Sequence, residues 1–173
     1  MKTSMKLTEL NDGQAVFIDA NIFIYHFTGA SIECREFLKQ CAGKRLNGFT
    51  SNSILSETCH RLMAMEAVKL KIAKPLKPSA SLQENPVLVK QLSEYYTQIT
   101  NILSWNIQII PSPQNLFIHS HIYRQRFGLL TNDSLIPVYM EAAGIDNLVS
   151  ADKIFKTIPN LKLYSPSDLI VLK

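Results

Sequence analysis

Four acidic residues of this 173-residue chain stand where a carboxylate could do chemistry: Asp19, Glu57, Asp133 and Asp152. Asp19 interrupts AVFIDANIFIY (15–25), a run otherwise fit for a buried core, where an unpaired charge is normally rejected. Taken singly, an Asp at a helix start reads as a cap that accepts orphan backbone N–H groups. Glu57 reads as a surface partner of Arg61 four residues on, worth roughly 0.2–0.5 kcal/mol. Taken together, the acids have company that caps do not require. Asn21 follows Asp19 by two residues, Asn132 directly precedes Asp133, and Ser150 precedes Asp152 by two. Polar neighbours of this kind orient carboxylates that line a pocket. Such a set suits a hard divalent cation, Mg²⁺ or Mn²⁺, which takes oxygen ligands and keeps several waters. Bound there, it would offset the mutual repulsion of the carboxylates and lower the pKa of a bound water.

The elements that must position these acids alternate in type. QAVFI reads as a buried strand and leads without a break into DANIFIYHF. SIECREFLKQCAGKR carries Cys34, Phe37, Leu38 and Cys41 at helical spacing. NGFTS is a short strand, and NSILSETCHRLMAMEAVKL a helix capped by Ser51 or Asn52. KIAKPLKPSASLQENP, with Pro75, Pro78 and Pro86, reads as a loop or mobile insertion. VLVKQLSEYYTQITNILSW returns to helix, with Leu92, Tyr95, Tyr96, Ile99, Ile102 and Leu103 on one face. IQII is a strand, and two helices follow, stopped by Gly128 and Gly144. DNLVSAD and KLYS are the last strands. Buried strands alternating with helices predict an α/β domain with a short, mostly parallel central sheet and helices on both faces. In such sheets sites form beyond the carboxyl ends of the strands, and Asp19 and Asp152 both leave a strand there.

Composition is that of a globular chain, 46% hydrophobic and 18% charged, with a net charge of +4 that is compatible with an anionic partner. The length fits one domain over 1–173 with an insertion around 69–86. Three cysteines without a C-x-x-C pair argue against a disulfide framework and for reduced thiols in a cytoplasmic protein. No apolar stretch approaches the roughly 20 residues that span a bilayer, and the first residues show no secretion signal.

Three stretches carry a resemblance: FIDANIFIY, SNSILSETCHRL and GLLTNDSLIPVYMEAAGIDNLVSADKIF. In order and content they resemble the PIN-domain family, and within it the small VapC-type toxin ribonucleases, from about Ala15 to Phe155. The resemblance implies a three-layer α/β/α fold and Mg²⁺- or Mn²⁺-dependent cleavage of RNA. It carries the family's acidic cluster onto Asp19, Glu57, Asp133 and Asp152, with Asp19 and Asp133 as central ligands. It gives Asn21 and Ser150 a supporting role. It further implies a homodimer and a small antitoxin protein. Two departures stand out: Ile154 occupies the region where many relatives have a further aspartate, and the stretch from Lys69 to Pro86 is longer than in the compact toxins. A housekeeping RNA-processing nuclease and a catalytically silent RNA- or protein-binding module are the alternatives. A haloacid-dehalogenase-like phosphatase is disfavoured, because its second acid, two residues after the first, is here Asn21, which cannot relay a proton.

Other residues read more plainly. Lys69, Lys71, Lys74 and Lys77 form a basic run that is either a solvated face or a contact to RNA phosphates, with Arg124 and Arg126 weaker candidates of the same kind. His119 and His121, two apart, face different ways on a helix and read as solvated. Cys34 and Cys41 read as core. Pro137 removes one backbone bond within its helix and frees the carbonyl of Asp133.

Overall fold

The computed structural model describes residues 4–170. Six strands form one sheet: β1 (Met5–Lys6), β2 (Ala15–Ile18), β3 (Asn47–Ser51), β4 (Gln108–Ile110), β5 (Asn147–Val149) and β6 (Lys162–Ser165). All pairings are parallel, in the order β1-β6-β5-β2-β3-β4. Seven helices accompany them: α1 (Ala20–Thr28), α2 (Ile32–Ala42), α3 (Asn52–Lys69), α4 (Pro78–Glu84), α5 (Glu94–Ser104), α6 (Leu116–Phe127) and α7 (Thr131–Ala143). From β2 the chain steps outward through β3 to β4, then returns to place β5 on the other side of β2. Right-handed crossovers therefore set α1, α2, α3 and α5 on one face and α6 and α7 on the other, a three-layer α/β/α arrangement.

A sheet covered on both faces needs strands without a polar side. β2 meets that condition, with Val16, Phe17 and Ile18 wholly buried, and Leu148 and Val149 of β5 are buried beside it. Phe23, Phe37, Ile136 and Phe155 fill the layers above and below. Gly48 in β3 is required for close approach: a Cβ there would lie 3.2 Å from Cys41 Sγ, Ile107 Cγ1 and Ile18 Cδ1. Helix boundaries follow local signals. The Ser51 hydroxyl caps α3 by accepting from the Ile54 N–H, and Gly128 and Gly144 end α6 and α7 in the left-handed conformation.

The structure departs from the sequence reading in three places. β1, two residues long at the sheet edge, is too short to leave a pattern in sequence. The expected loop after α3 contains α4, which opens on Pro78, followed by a 3-10 segment over Pro86–Gln91. Leu82 and Leu92 fold this segment back onto Ala67 of α3 in a small second core. The helix expected from Val87 onward begins only at Glu94. Of its expected apolar face, Ile102 is buried while Tyr96 and Leu103 are exposed.

Glu66 of α3 sets that late start. It is buried, and its carboxylate accepts the backbone N–H groups of Ser93 (2.8 Å), Glu94 (2.9 Å) and Tyr95 (2.9 Å). These are orphan donors of α5, whose own Ser93 makes no side-chain cap. Burial alone would raise the Glu66 pKa; the three amides, with Lys69, outweigh it and hold the carboxyl below its ordinary value. Glu66→Ala leaves three N–H groups without that acceptor and should cost roughly 1.5–3 kcal/mol. Because the folded pKa is depressed, this stability is present above the ordinary carboxylate range and lost as pH falls through it. Urea unfolding at pH 7 and pH 4 checks both points: the wild-type advantage should shrink at pH 4, and a loss below 0.5 kcal/mol at pH 7 would contradict the capping role.

Candidate active site

The strand order reverses between β2 and β5, so a crevice lies beyond their carboxyl ends. Ile18 pairs with Val149, and the Asp19 N–H donates to the Val149 carbonyl at 3.1 Å. Asp19 and Ser150 thus leave the sheet side by side. Asp19 caps α1, its Oδ1 accepting from the Ala20 N–H at 2.7 Å. Its Oδ2 accepts from Asn21 Nδ2 and from Ser150 Oγ, each at 2.6 Å. Asn21 spans the two strand ends, its Oδ1 accepting from the Ala151 N–H at 3.1 Å and its Nδ2 lying 3.0 Å from Ser150 Oγ. Ser150 Oγ in turn accepts from the Asp152 N–H at 3.0 Å. Asn21 and Ser150 therefore tie Asp19 to the loop that carries Asp152.

The other acids arrive from separate elements. Asp133 lies in the first turn of α7, where the helix dipole favours a negative charge. Asp152 caps the 3-10 turn Lys153–Thr157 by accepting from the Ile154 N–H at 2.9 Å. Ile154 packs against the core, so no fifth acid follows here. Glu57 reaches in from α3, with Asn132 Nδ2 3.4 Å from one oxygen and Arg61 Nη1 3.8 Å from the other. The cap reading holds for Asp19 and Asp152 but not for Asp133, since α7 begins after Leu130 without a side-chain cap; the Arg61 pairing of Glu57 is also present. Burial, then the charges of Asp152 and Glu57, raise the Asp133 pKa. Burial is also the main cause that pushes Asp19 up to about 6; the bonds from Ser150 and Ala20 oppose it, and the charges of Glu57 and Asp133 add to it.

Four carboxylates with one guanidinium near them make a site of negative potential, right in kind for a hard cation and lacking soft donors. Among the described residues, no three His, Cys, Asp or Glu side chains stand close enough to close around one ion as they are. A cation held by fewer protein ligands would complete its shell with water, as Mg²⁺ does.

The remaining candidates separate. Lys69 pairs with Glu94 at 2.7 Å, while Lys71, Lys74 and Lys77 are exposed. Arg124, read from sequence as a weak phosphate contact, is instead held by the fold. It donates to Ser120 Oγ (2.9 Å), Ser134 Oγ (3.1 Å) and the Phe117 carbonyl (3.0 Å), fastening α6 to the start of α7. Arg126 lies over the Phe127 ring. His119 and His121 are exposed, and Cys34 and Cys41 are buried free thiols.

The raised pKa of Asp19 fixes the sign of a pH effect. Below about pH 4 the carboxyl is protonated in folded and unfolded chains alike. Above that, the unfolded chain releases the proton first, so Asp19 opposes folding increasingly as pH rises through about 6. Asp19→Asn should remove this slope. In chelator, its stability relative to wild type should climb between pH 4 and pH 7; a difference independent of pH in urea titrations would contradict the placement of Asp19 as a buried charge.

A family model for the PIN domain matches residues 16–161. Ribonuclease VapC2 of Methanocaldococcus jannaschii is 24% identical over 153 residues, covering 86% of this chain and 91% of the relative. The crystal structure of VapBC2 from Rickettsia felis bound to a DNA fragment from their promoter is similar in fold. Its TM-score is 0.58 at 21% identity, covering 89% of this chain and 100% of the matched chain. A toxin–antitoxin complex from Klebsiella pneumoniae matches with a TM-score of 0.50 at 21% identity, over 89% and 99% of the two chains. The family match runs from β2 to the threshold of β6 and takes in all four acids, and on it the chain belongs to the PIN domain family.

Proposed function

We propose that this chain is a divalent-metal-dependent endoribonuclease that hydrolyses RNA phosphodiester bonds, and that it is the toxin of a toxin–antitoxin pair. The observation that supports the reading is that Asp19 leaves the sheet where β2 pairs with β5 and feels the charges of Glu57 and Asp133, while Asp133 feels those of Asp152 and Glu57. The relative named Ribonuclease VapC2 supports RNA as the substrate class. The VapBC2 and toxin–antitoxin assemblies of similar fold support a small antitoxin as partner.

Asp19 and Asp133 would be the central ligands of Mg²⁺ or Mn²⁺, with Glu57 and Asp152 completing the shell directly or through water. The ion, when bound, supplies Lewis-acid polarisation of the phosphoryl oxygen and lowers the pKa of the attacking water. The protein supplies position. Asn21 and Ser150 hold the Asp19 carboxylate in one orientation through two 2.6 Å bonds, and outer partners of this kind tune a ligand's affinity by 10–100-fold. Asn132 and Arg61 steady Glu57. Ser134 anchors the start of α7 through Arg124, next to Asp133. A homodimer belongs to the same proposal, and the exposed apolar side chains of α6, Phe117, Ile118 and Ile122, support it as an association face.

The test is cleavage of total RNA by the purified protein with Mg²⁺ or Mn²⁺, with and without chelator. Cleavage should require the metal, and Asp19→Asn and Asp133→Asn should each reduce it by more than about 100-fold, beyond the cost of losing an outer partner. Full activity in either folded variant, or in chelator, would contradict the mechanism.

A further inference from the structure

The segment between α3 and α5 sets a turn that bears Lys74 and Lys77 beside the part of α3 that carries Glu57. Lys74–Lys77 form a tight turn closed by the Lys77 N–H donating to the Lys74 carbonyl at 3.1 Å. Ser81 of α4 staples it: its Oγ accepts from the Lys74 N–H at 3.2 Å and donates to the Lys77 carbonyl at 3.1 Å. Leu76 at the tip is 95% exposed, so the turn stands out from the body of the protein. At the other side of the same turn, Ser79 Oγ lies 3.0 Å from His60 Nε2 on α3. His60 and Arg61 follow Glu57 by three and four residues and share its face of the helix. His60 is therefore about 4.5 Å along the helix axis from Glu57. The start of α4, with Lys77 as its cap residue, docks within one helical turn of an acid of the site.

Charge pairing separates these two lysines from Lys69, and the stapled turn separates them from Lys71, which also has no carboxylate within 4.0 Å among the described residues. Arg45 is paired with Asp12, Arg35 and Lys39 with Glu36, and Lys69 with Glu94. Among the described residues, neither Lys74 nor Lys77 has a carboxylate within 4.0 Å, and both are exposed. A nuclease built on four carboxylates repels the phosphates that flank the scissile one. Fixed cations outside the acid cluster offset that repulsion, and an ordered turn offers them with less entropy to lose on binding.

We propose that the Lys74–Lys77 turn is a lip that grips RNA phosphates flanking the cleaved bond on the α3 side of the site, and that Lys69, held by Glu94, takes no part. This rests on the ribonuclease reading and deepens it by naming the substrate contact. Lysine–phosphate contacts carry no base information, so the lip adds affinity without sequence preference.

The test measures binding of a fluorescein-labelled mixed-sequence oligoribonucleotide by anisotropy across a KCl series, in the Asp133→Asn background so that the RNA stays intact. The double variant Lys74→Gln/Lys77→Gln should lower the slope of log affinity against log salt by about 1.4, two contacts at about 0.7 each on single-stranded RNA. Lys69→Gln should leave the slope unchanged. Thermal melts confirm that these surface variants fold. An unchanged slope in the double variant, or an equal loss in Lys69→Gln, overturns the lip while the ribonuclease reading stands on wild-type cleavage. Wild-type protein that neither cuts nor binds RNA overturns both.

Discussion

The hydrogen bond from the Asp19 N–H to the Val149 carbonyl joins the ends of β2 and β5, two strands from opposite halves of the chain. Where β2 and β5 pair, Asp19 and Ser150 emerge together, and the remaining features of the site attach to that junction. α1 starts on Asp19, the turn bearing Asp152 starts beyond Ser150, and Asn21 bridges the two. A parallel sheet allows this arrangement only at a point where strand order reverses, because elsewhere a crossover helix covers the strand ends. The apolar bulk of Val16, Phe17, Ile18, Leu148 and Val149 keeps the pairing in register.

Gathering carboxylates at that junction is unfavourable in itself. Asp19 is buried, and desolvation together with the charges of Glu57 and Asp133 pushes its pKa up to about 6. Asp133 is raised for the same reasons. Three donors to Asp19 ease the cost without removing it, and Arg61 touches only Glu57. A fold that holds such repulsion at a strand edge has its opposite charge to come from outside, which is the physical basis for reading the cluster as a cation site that meets a phosphodiester.

Much of this was legible in the sequence because the signals are local. The run AVFI, the Ser51 cap and the stops at Gly128 and Gly144 each act within a few residues, and the α/β class follows from their order. The three aspartates stood out because each has a polar neighbour, and Asp19 also because it interrupts an apolar run; Glu57 had no such local sign. What sequence did not show depends on distant partners. Glu66 starts α5 from 27 residues away by taking the Ser93 N–H. Leu82 and Leu92 turn a proline-rich stretch into a packed flap only because Ala67 lies beneath it. Arg124 looks like a surface cation until Ser120 and Ser134 enclose its guanidinium, and Lys69 looks like its neighbours until Glu94 pairs with it. No spacing within the basic run distinguishes Lys69 from Lys77.

The central claim, that the clustered acids are built to share a cation, is tested most directly by thermal melts of wild type and Asp133→Asn in chelator and across Mg²⁺ and Mn²⁺ titrations. Metal that binds only the folded state should stabilise the wild type by about 2.7 kcal/mol at 100 times its dissociation constant. Asp133→Asn removes a charge whose pKa the fold raises, so in chelator it should match or exceed wild type, and it should gain less from metal. Identical metal responses in the two proteins, or none in either, would contradict the account.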